Sequence, residues 1–214
     1  INYRTIDDAA PVGICGSGLV DALAEMLKSG FIDTKGKINN DLSNQTDRLR
    51  KTPDGWYELV IAPKSETGTD TDITVTQADI RELQKAKAAM RTGAETLLKK
   101  MKFTKDDITT LYVAGAFGNY IDPENARAVG MYPEVSLERI KFVGNTAGTG
   151  SRMCLISKEM REYAEAISTK VHYYELACDT DFQGEYMKAM FLPHQELSRQ
   201  PILTEMLRRL GRIK

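Results

Sequence analysis

Two short apolar segments end in glycine-rich turns, and these turns are the strongest chemical feature of the sequence. The first segment, 111–114, is followed by Gly115, Ala116, Phe117, Gly118 and Asn119. The second segment, 140–143, is followed by Gly144 and Asn145. Because glycine has no Cβ, the backbone at such turns can approach a flat ligand closely, and its N–H groups suit phosphate or ribose. Glycine also serves simply to turn the chain, so spacing alone leaves both interpretations open.

The cysteines and histidines favour structural roles. The three cysteines are Cys15, Cys154 and Cys178, and they are far apart and form no Cys-x-x-Cys pair. This spacing excludes a disulfide scaffold, a zinc module and an iron–sulfur module, and it predicts a reducing compartment. We expect Cys15 and Cys154 to be buried as small hydrophobic residues. The two histidines, His172 and His194, are too few and too isolated for a histidine metal site or a catalytic triad.

The remaining polar candidates also favour ordinary explanations. Asp179 and Asp181 are expected to cap a helix, and Lys85 and Lys87 are expected to face solvent. No P-loop, Gly-x-Gly-x-x-Gly, Gly-x-Ser-x-Gly or His-Glu-x-x-His motif occurs in the sequence. We therefore assign no catalytic residue and no metal ligand from the sequence.

Helical spacing of apolar residues outlines the elements that position the turns. Helices are predicted at about 17–29, 77–101, 148–168 and 181–190, with a short helix after Asp122. Ser17 is the expected N-cap of the first helix, and Thr76 with Asp79 forms a capping box before the second. The face of the second helix that carries Met90 is expected to be buried, and the face that carries Arg91 is expected to be exposed.

Strand patterns alternate with these helices and predict an α/β fold. A hairpin is expected at 49–62 around the turn Pro53-Asp54-Gly55, and residues 73–75 add a short strand. With 111–114 and 140–143, these strands predict a mixed β-sheet flanked by helices, with a ligand site at the carboxyl ends of strands. Residues 171–177 are expected to be extended.

Composition sets the limits on partners and compartment. The 214 residues hold 29 Lys and Arg against 30 Asp and Glu, a formal net charge of −1. Bulk charge therefore gives no argument for nucleic acid or for an anionic membrane. No apolar run reaches the roughly 20 residues of a membrane helix. We expect a cytoplasmic protein, and the first residue, Ile1, suggests a piece of a longer chain.

Several longer motifs occur in a fixed order along the chain. They are Val-Gly-Ile-Cys-Gly-Ser-Gly at 12–18, Gln-Ala-Asp-Ile-Arg-Glu-Leu-Gln at 77–84, Val-Ala-Gly-Ala-Phe-Gly-Asn at 113–119, Gly-Asn-Thr-Ala-Gly at 144–148 and Glu-Leu-Ala at 175–177. Together they resemble the C-terminal ATPase region of the reductive activators of corrinoid-dependent enzymes. The resemblance covers about residues 8–193, and the tail from about 194 to 214 is expected to form a separate amphipathic helix.

The resemblance implies an actin-like ATPase fold in which two ribonuclease H-like lobes clamp ATP with Mg²⁺. ATP would drive the reduction of an inactive cobalt(II) corrinoid protein to cobalt(I). It further implies that Gly115, Ala116, Phe117, Gly118 and Asn119 hold the adenosine, with Gly144 and Asn145 as weaker assignments and Lys85 and Arg81 flanking the base. The implied partner is a corrinoid protein of a methyltransferase or of the acetyl-CoA pathway. A homodimer is possible, and neither nucleic acid nor a membrane is implied.

The sequence departs from the complete family pattern. The Asp-Gly-Thr phosphate motifs and the cysteines of a plant-type two-iron two-sulfur cluster are absent, and the resemblance places them upstream of Ile1. We therefore expect this chain to be inactive as an ATPase by itself. The alternatives are another actin-like protein, such as a small-molecule kinase or a dehydratase activator, and a docking module for a corrinoid protein without catalysis.

Overall fold

The computed structural model describes residues 1–115 and 120–213. The helices of this part are α1 (Gly16–Ser29), α2 (Gln77–Lys100), α3 (Pro123–Ala128), α4 (Thr146–Ile156), α5 (Lys158–Ser168), α6 (Phe182–Ala189) and α7 (Pro201–Arg209). The strands are β1 (Leu49–Lys51), β2 (Tyr57–Ala62), β3 (Ile73–Thr76), β4 (Leu111–Ala114) and β5 (Ile140–Gly144). Short 3-10 helices lie at Ile6–Asp8, Asn40–Asn44, Lys105–Asp107, Leu137–Arg139, Leu176–Cys178 and Leu197–Arg199. The predicted α/β class is confirmed.

Within the described residues the strands form two sheets instead of the single mixed sheet that we predicted. β1, β2 and β3 are antiparallel, with Leu59 opposite Leu49 on one side and Val75 on the other. β4 and β5 are parallel, with Val113 opposite Phe142. β3 passes directly into α2 at Thr76. In the sequence, the antiparallel sheet comes before α2 and the parallel pair comes after it.

Helix α1 is the apolar centre of the chain. Val20, Leu23 and Leu27 along one side of it are fully buried. Its N-cap is Cys15 and not Ser17 as predicted, because the Cys15 Sγ accepts a hydrogen bond from the Gly18 N–H at 3.4 Å. The helix ends as predicted, and Gly30 adopts the left-handed backbone conformation that favours glycine.

Helix α2 begins at the predicted capping box. The Asp79 carboxylate accepts from the Thr76 N–H at 2.9 Å, and the Thr76 hydroxyl accepts from the Asp79 N–H at 3.2 Å. The predicted facing is wrong beyond the first two turns, because Met90 is exposed and Arg91 is buried. The buried side is instead a polar stripe with Lys87 at its centre.

The prediction that Lys87 faces solvent is also wrong, since its side chain is 0% exposed. The Lys87 ammonium group donates to the carbonyl oxygen of Phe191 and, at 2.8 Å, to that of Pro193. One turn earlier, the Gln84 amide donates to the Met190 carbonyl at 2.7 Å. The stripe is therefore buried because backbone carbonyls of the segment 190–193 satisfy its polar atoms.

A single helix at 148–168 is predicted, but the chain breaks at Ser157 into α4 and α5. Ser157 has extended backbone angles, and its hydroxyl accepts from the Met160 N–H at 3.2 Å, as an N-cap does. Apolar side chains whose helical spacing predicted one continuous helix are exposed, with Ile156 at 84% and Tyr163 at 63%. Neither helix has a buried residue, and the two pack chiefly against each other.

The C-terminal residues complete the same core that α1 begins. Leu203 and Leu207 of α7 are buried in one cluster with Leu23 and Leu27. The Glu134 carboxylate accepts from the Leu203 N–H at 3.1 Å and so caps the first turn of α7. Residues 171–177, predicted as extended, contain no strand and lead into the 3-10 turn at Leu176–Cys178.

No helix among the described residues combines the length and the apolar character that crossing a lipid bilayer requires.

Candidate functional site

The carboxyl ends of the parallel strands bring Gly115 and Gly144 together. The Gly115 N–H donates to the Gly144 carbonyl oxygen at 2.8 Å, which extends the β4–β5 ladder by one rung. Both residues have positive φ angles, 100° at Gly115 and 71° at Gly144, which L side chains rarely adopt. Two of the glycines that follow strands in the sequence thus meet at one edge of the parallel pair.

The second turn passes directly into helix α4. Asn145 is the N-cap of α4, and its Oδ1 accepts from the Gly148 N–H at 2.9 Å. A Cβ at Gly148 would lie 2.9 Å from the Asn145 side chain, so this turn requires a glycine to stay as tight as it is. Asn145 therefore holds the turn, and its side chain has a structural partner already.

The edge formed by Gly115, Gly144 and the start of α4 is open at Gly115 as far as the described residues show. Apart from its chain neighbours, no heavy atom of those residues lies within 4 Å of the position that a Cβ would take at Gly115. The backbone can be approached there by a planar group, and the α4 N-terminus adds the positive end of a helix dipole. The residues Gly115, Gly144 and Asn145 carry no acid or base, so the edge fits ligand binding and gives no proton-transfer role.

Four of the predicted adenosine residues lie outside the described residues. They are Ala116, Phe117, Gly118 and Asn119. Their assignment stays a prediction, as does that of Gly115, Gly144 and Asn145 to the same ligand.

Lys85 and Arg81, predicted to flank the base, have other partners. The Lys85 ammonium group lies 2.5 Å from the Glu82 carboxylate and is half exposed. The Arg81 guanidinium donates to the Lys35 carbonyl at 3.1 Å and to the Gln84 side-chain oxygen at 2.9 Å. These contacts tie both side chains to the first half of α2 and to the loop before β1, and none of them reaches Gly115.

The turn before α1 exposes a thiol. Cys15 is exposed, which contradicts the prediction that it is a buried hydrophobic residue, whereas Cys154 is half-buried. A hydrogen bond with the Ser17 hydroxyl, supported by the Gly18 N–H, lowers the pKa of the Cys15 thiol. The glycines around Cys15 predict a tight turn but not the exposure of the thiol, because the spacing of this motif also fits a packed turn.

A buried polar cluster beside α2 was missed by sequence reasoning. Glu95, Glu185 and His194 place ligand-type atoms within 4.8 Å of one another. Arg199 already lies between the carboxylates, 3.1 Å from Glu95 and 2.6 Å from Glu185. The His194 Nδ1 accepts from the Glu196 N–H at 3.0 Å, so the neutral ring carries its proton on Nε2 and offers no lone pair there. The cluster is therefore a salt-bridge network, and burial lowers the pKa of His194 to about 4.

The two aspartates predicted to cap a helix, Asp179 and Asp181, form hydrogen bonds and ion pairs near the start of α6. Asp181 stands at the N-cap position of α6 without a side-chain cap bond, and it pairs with Lys99 at 2.5 Å. Asp179 instead accepts from the Asp181 N–H at 3.0 Å. A hydrogen bond from Tyr174, followed by one from Lys100, lowers the pKa of Asp179 to about 2. Asp181 therefore occupies the predicted N-cap position of α6, but its side chain does not form the capping hydrogen bond.

Comparisons with known proteins agree with the fold and the order of the motifs. Residues 1–204 match the family model described as the C-terminal domain of RACo, the ASKHA domain. The match extends beyond residue 193 into the tail.

Two curated relatives and one solved structure are similar over most of the chain. The chain is 36% identical over 191 residues to the corrinoid activation enzyme RamQ of Eubacterium limosum, covering 87% of this chain and 32% of the relative. It is 29% identical over 178 residues to the [Co(II) methylated amine-specific corrinoid protein] reductase of Methanosarcina barkeri, covering 82% and 28% respectively. A solved reductive activator for corrinoid,iron-sulfur protein superposes with a TM-score of 0.88 at 36% identity, covering 94% of this chain and 31% of that one.

The chain therefore spans about a third of the length of the relatives that it matches. The family match covers nearly the whole chain, and the fold of the solved relative is the same. The predicted resemblance and the actin-like ATPase class are confirmed, and the chain belongs to the RACo C-terminal domain family, the ASKHA domain of these proteins.

Proposed function

We propose that this chain is the ATP-binding C-terminal region of a protein that uses ATP to drive the one-electron reduction of a cobalt(II) corrinoid protein to cobalt(I). The observation that carries the proposal is the edge where Gly115 and Gly144 meet, which the described residues leave open at Gly115, in a chain that belongs to an ASKHA family. The relatives' names, a corrinoid activation enzyme and a corrinoid protein reductase, supply the substrate class. In this proposal the adenosine lies against 115–119, with Gly144 and Asn145 beside it.

The open edge supplies only part of a nucleotide site. Its backbone groups fit adenosine or ribose, whereas the phosphates of ATP and their Mg²⁺ need additional N–H groups and carboxylates. We propose that another part of a longer protein supplies these groups, and that a two-iron two-sulfur cluster lies there as well. The exposed apolar side chains of α4 and α5, such as Ile156 and Tyr163, support a larger assembly. This chain alone would then be inactive.

ATP would act by shifting a conformational equilibrium. A nucleotide that binds a closed form better than an open form shifts the protein toward the closed form by the difference in binding free energy. For a one-electron couple, about 1.4 kcal/mol corresponds to about 60 mV. A difference of a few kcal/mol in nucleotide-binding free energy would therefore be enough to shift the reduction potential of the cobalt and favour its reduction. The protein surface that senses the closure would also contact the corrinoid protein. We place the protein in the cytoplasm because its free cysteines suit a reducing compartment.

The proposal is tested with the full-length protein and a cobalt(II) corrinoid protein in the presence of a strong electron donor. Visible absorbance is followed for the appearance of cobalt(I) with and without ATP. We expect cobalt(I) only with ATP, and its loss in Gly115→Val and Gly118→Val. Gly150→Ala is the matched control, because Gly150 lies inside α4 with open space around its Cβ position. Formation of cobalt(I) that ignores ATP would contradict the proposal and favour a docking module.

A further inference from the structure

A second concave site lies away from the glycine turns, at the tip of the antiparallel sheet. It is a cavity of about 900 Å³ between the β1–β2 hairpin, the first turn of α2 and the loop around Lys37. Trp56 and Lys51 come from the hairpin, and Gln77 and Arg81 come from α2. None of the described residues of the β4–β5 edge lines this cavity.

The walls of this cavity are held together by side-chain bonds. The Gln77 amide accepts from the Ile38 N–H at 3.1 Å and donates to the Gly36 carbonyl at 2.7 Å, which fastens the loop to α2. The capping box engages the N–H groups of Thr76 and Asp79 at the start of α2. The loop and the helix that line the cavity are therefore held in place by bonds within the protein, and the cavity is preformed.

The lining is cationic and carries a large exposed aromatic ring. Trp56 is 67% exposed. Three cations line the cavity, Lys37, Lys51 and Arg81, against a single acid, Asp54. Among the described residues no acid forms a salt bridge with Lys37 or Lys51. The net charge of this protein is only −1, so the positive charge of the cavity is a local feature. An occupant that neutralises it must be acidic.

We propose that this cavity docks an acidic segment of the corrinoid protein, with an apolar side chain of that segment packed on Trp56. The inference rests on the proposed function for the identity of the partner. Exposed tryptophan beside arginine is the composition of binding hot spots, and lysines at the rim steer an acidic partner into contact. A second copy of this chain fits poorly, because a two-fold interface would bring Lys37 and Lys51 toward the same cations of the other copy.

The test varies the concentration of the corrinoid protein in the ATP-dependent reduction by the full-length protein. Trp56→Ala should raise the concentration for half-maximal rate by about 30-fold or more, since a hot-spot residue contributes at least about 2 kcal/mol, and leave the maximal rate unchanged. Lys37→Glu with Lys51→Glu should raise it at least about 10-fold and flatten its dependence on salt. The matched control is Lys64→Glu with Lys170→Glu, which makes the same charge change at exposed positions outside the cavity.

The outcomes separate this inference from the proposed function. If wild-type protein reduces cobalt(II) with ATP and Trp56→Ala keeps its half-saturating concentration, the docking site is wrong and the proposed function stands. If Trp56→Ala instead converts a dimer into a monomer in sedimentation, the occupant is a second copy and the inference is overturned. If wild-type protein reduces no corrinoid protein, both fall together.

Discussion

Replacement of Lys87 by methionine tests whether the buried polar stripe of α2 stabilises the fold. Lys87→Met keeps the length and apolar stem of the side chain and removes its bonds to the Phe191 and Pro193 carbonyls. Each carbonyl left unsatisfied in the interior costs about 1–3 kcal/mol. The variant no longer buries an amine, and the desolvation cost that it saves offsets part of this loss. We expect a loss of about 2–4 kcal/mol in the free energy of unfolding, measured by urea denaturation.

Lys85→Met is the matched control, because Lys85 lies two residues away on the same helix and is half exposed. It should change the free energy of unfolding by less than about 0.5 kcal/mol. A Lys87→Met value within that same range would refute the reasoning that the two carbonyls depend on Lys87. An altered denaturant slope would instead mean that the variant changes the two-state behaviour itself.

The pH dependence gives an independent check on Lys87. Burial, and then the nearby Arg91, lowers the pKa of Lys87 well below 10.5 in the folded protein. The unfolded chain then binds more protons than the folded chain between the two pKa values, so stability rises with pH in that window. The advantage of wild type over Lys87→Met should therefore grow as the pH rises toward about 10, the pKa of an unperturbed lysine. A difference that shrinks over this range would contradict the lowered pKa.

Three further measurements test other parts of the structure. Gly115→Ala should lower the free energy of unfolding by about 1 kcal/mol because of its positive φ, whereas Gly150→Ala in the α4 interior should raise it by a similar amount; equal effects would argue against the strained turn. Glu134→Gln should weaken the cap on α7 and speed amide exchange in residues 202–209, while Glu138→Gln, at an exposed position, should not. The folded pKa of His194, about 4 and below its usual 6.5, predicts stability that is present above pH 6.5 and is lost on acidification toward pH 4, by up to about 1.4 kcal/mol per pH unit. His194→Gln should remove that slope in urea titrations at several pH values, and an unchanged slope would assign it to other groups.

The elements that repeat a local rule could be predicted from the sequence. The capping box at Thr76, the left-handed Gly30 and the parallel pairing of β4 with β5 depend on residues close in the chain or on simple strand logic. The pairing of Gly115 with Gly144 follows from the same logic, because carboxyl ends of parallel strands meet at one edge. The order of the motifs along the chain indicated the family to which it belongs.

The predictions of exposure were wrong where a side chain bonds to backbone carbonyls that are distant in the sequence. Hydrophobic periodicity assigns lysine and arginine to the solvent, and Lys87 and Arg91 are buried because carbonyls of Pro193 and Tyr132 accept from them. Those partners are about 40 to 100 residues away, so no local pattern reveals them. The break at Ser157 was visible as a serine followed by Lys158 and Glu159, an N-cap composition that the apolar spacing across it concealed.

The exposed Trp56 cavity was equally beyond a local reading. Sequence alone gives Trp56 as part of a strand pattern and says nothing of Lys37 or Arg81 beside it. The loop that carries Lys37 is joined to α2, which carries Arg81, by the two hydrogen bonds of Gln77. Candidate binding sites built from several elements therefore need the tertiary structure before they can be recognised.

The dependence of the α1 core on α7 has a consequence for synthesis of the protein. The Arg212 side chain donates to the Lys28 carbonyl at a separation of 184 residues, and Leu203 and Leu207 belong to the same buried cluster as Leu23 and Leu27 of α1. At about 5–20 residues per second, a ribosome needs roughly 10–40 s to deliver the covering residues after α1 has emerged. Until then the core around α1 lacks its C-terminal part, and contacts between such distant residues slow folding because the intervening chain must be ordered first.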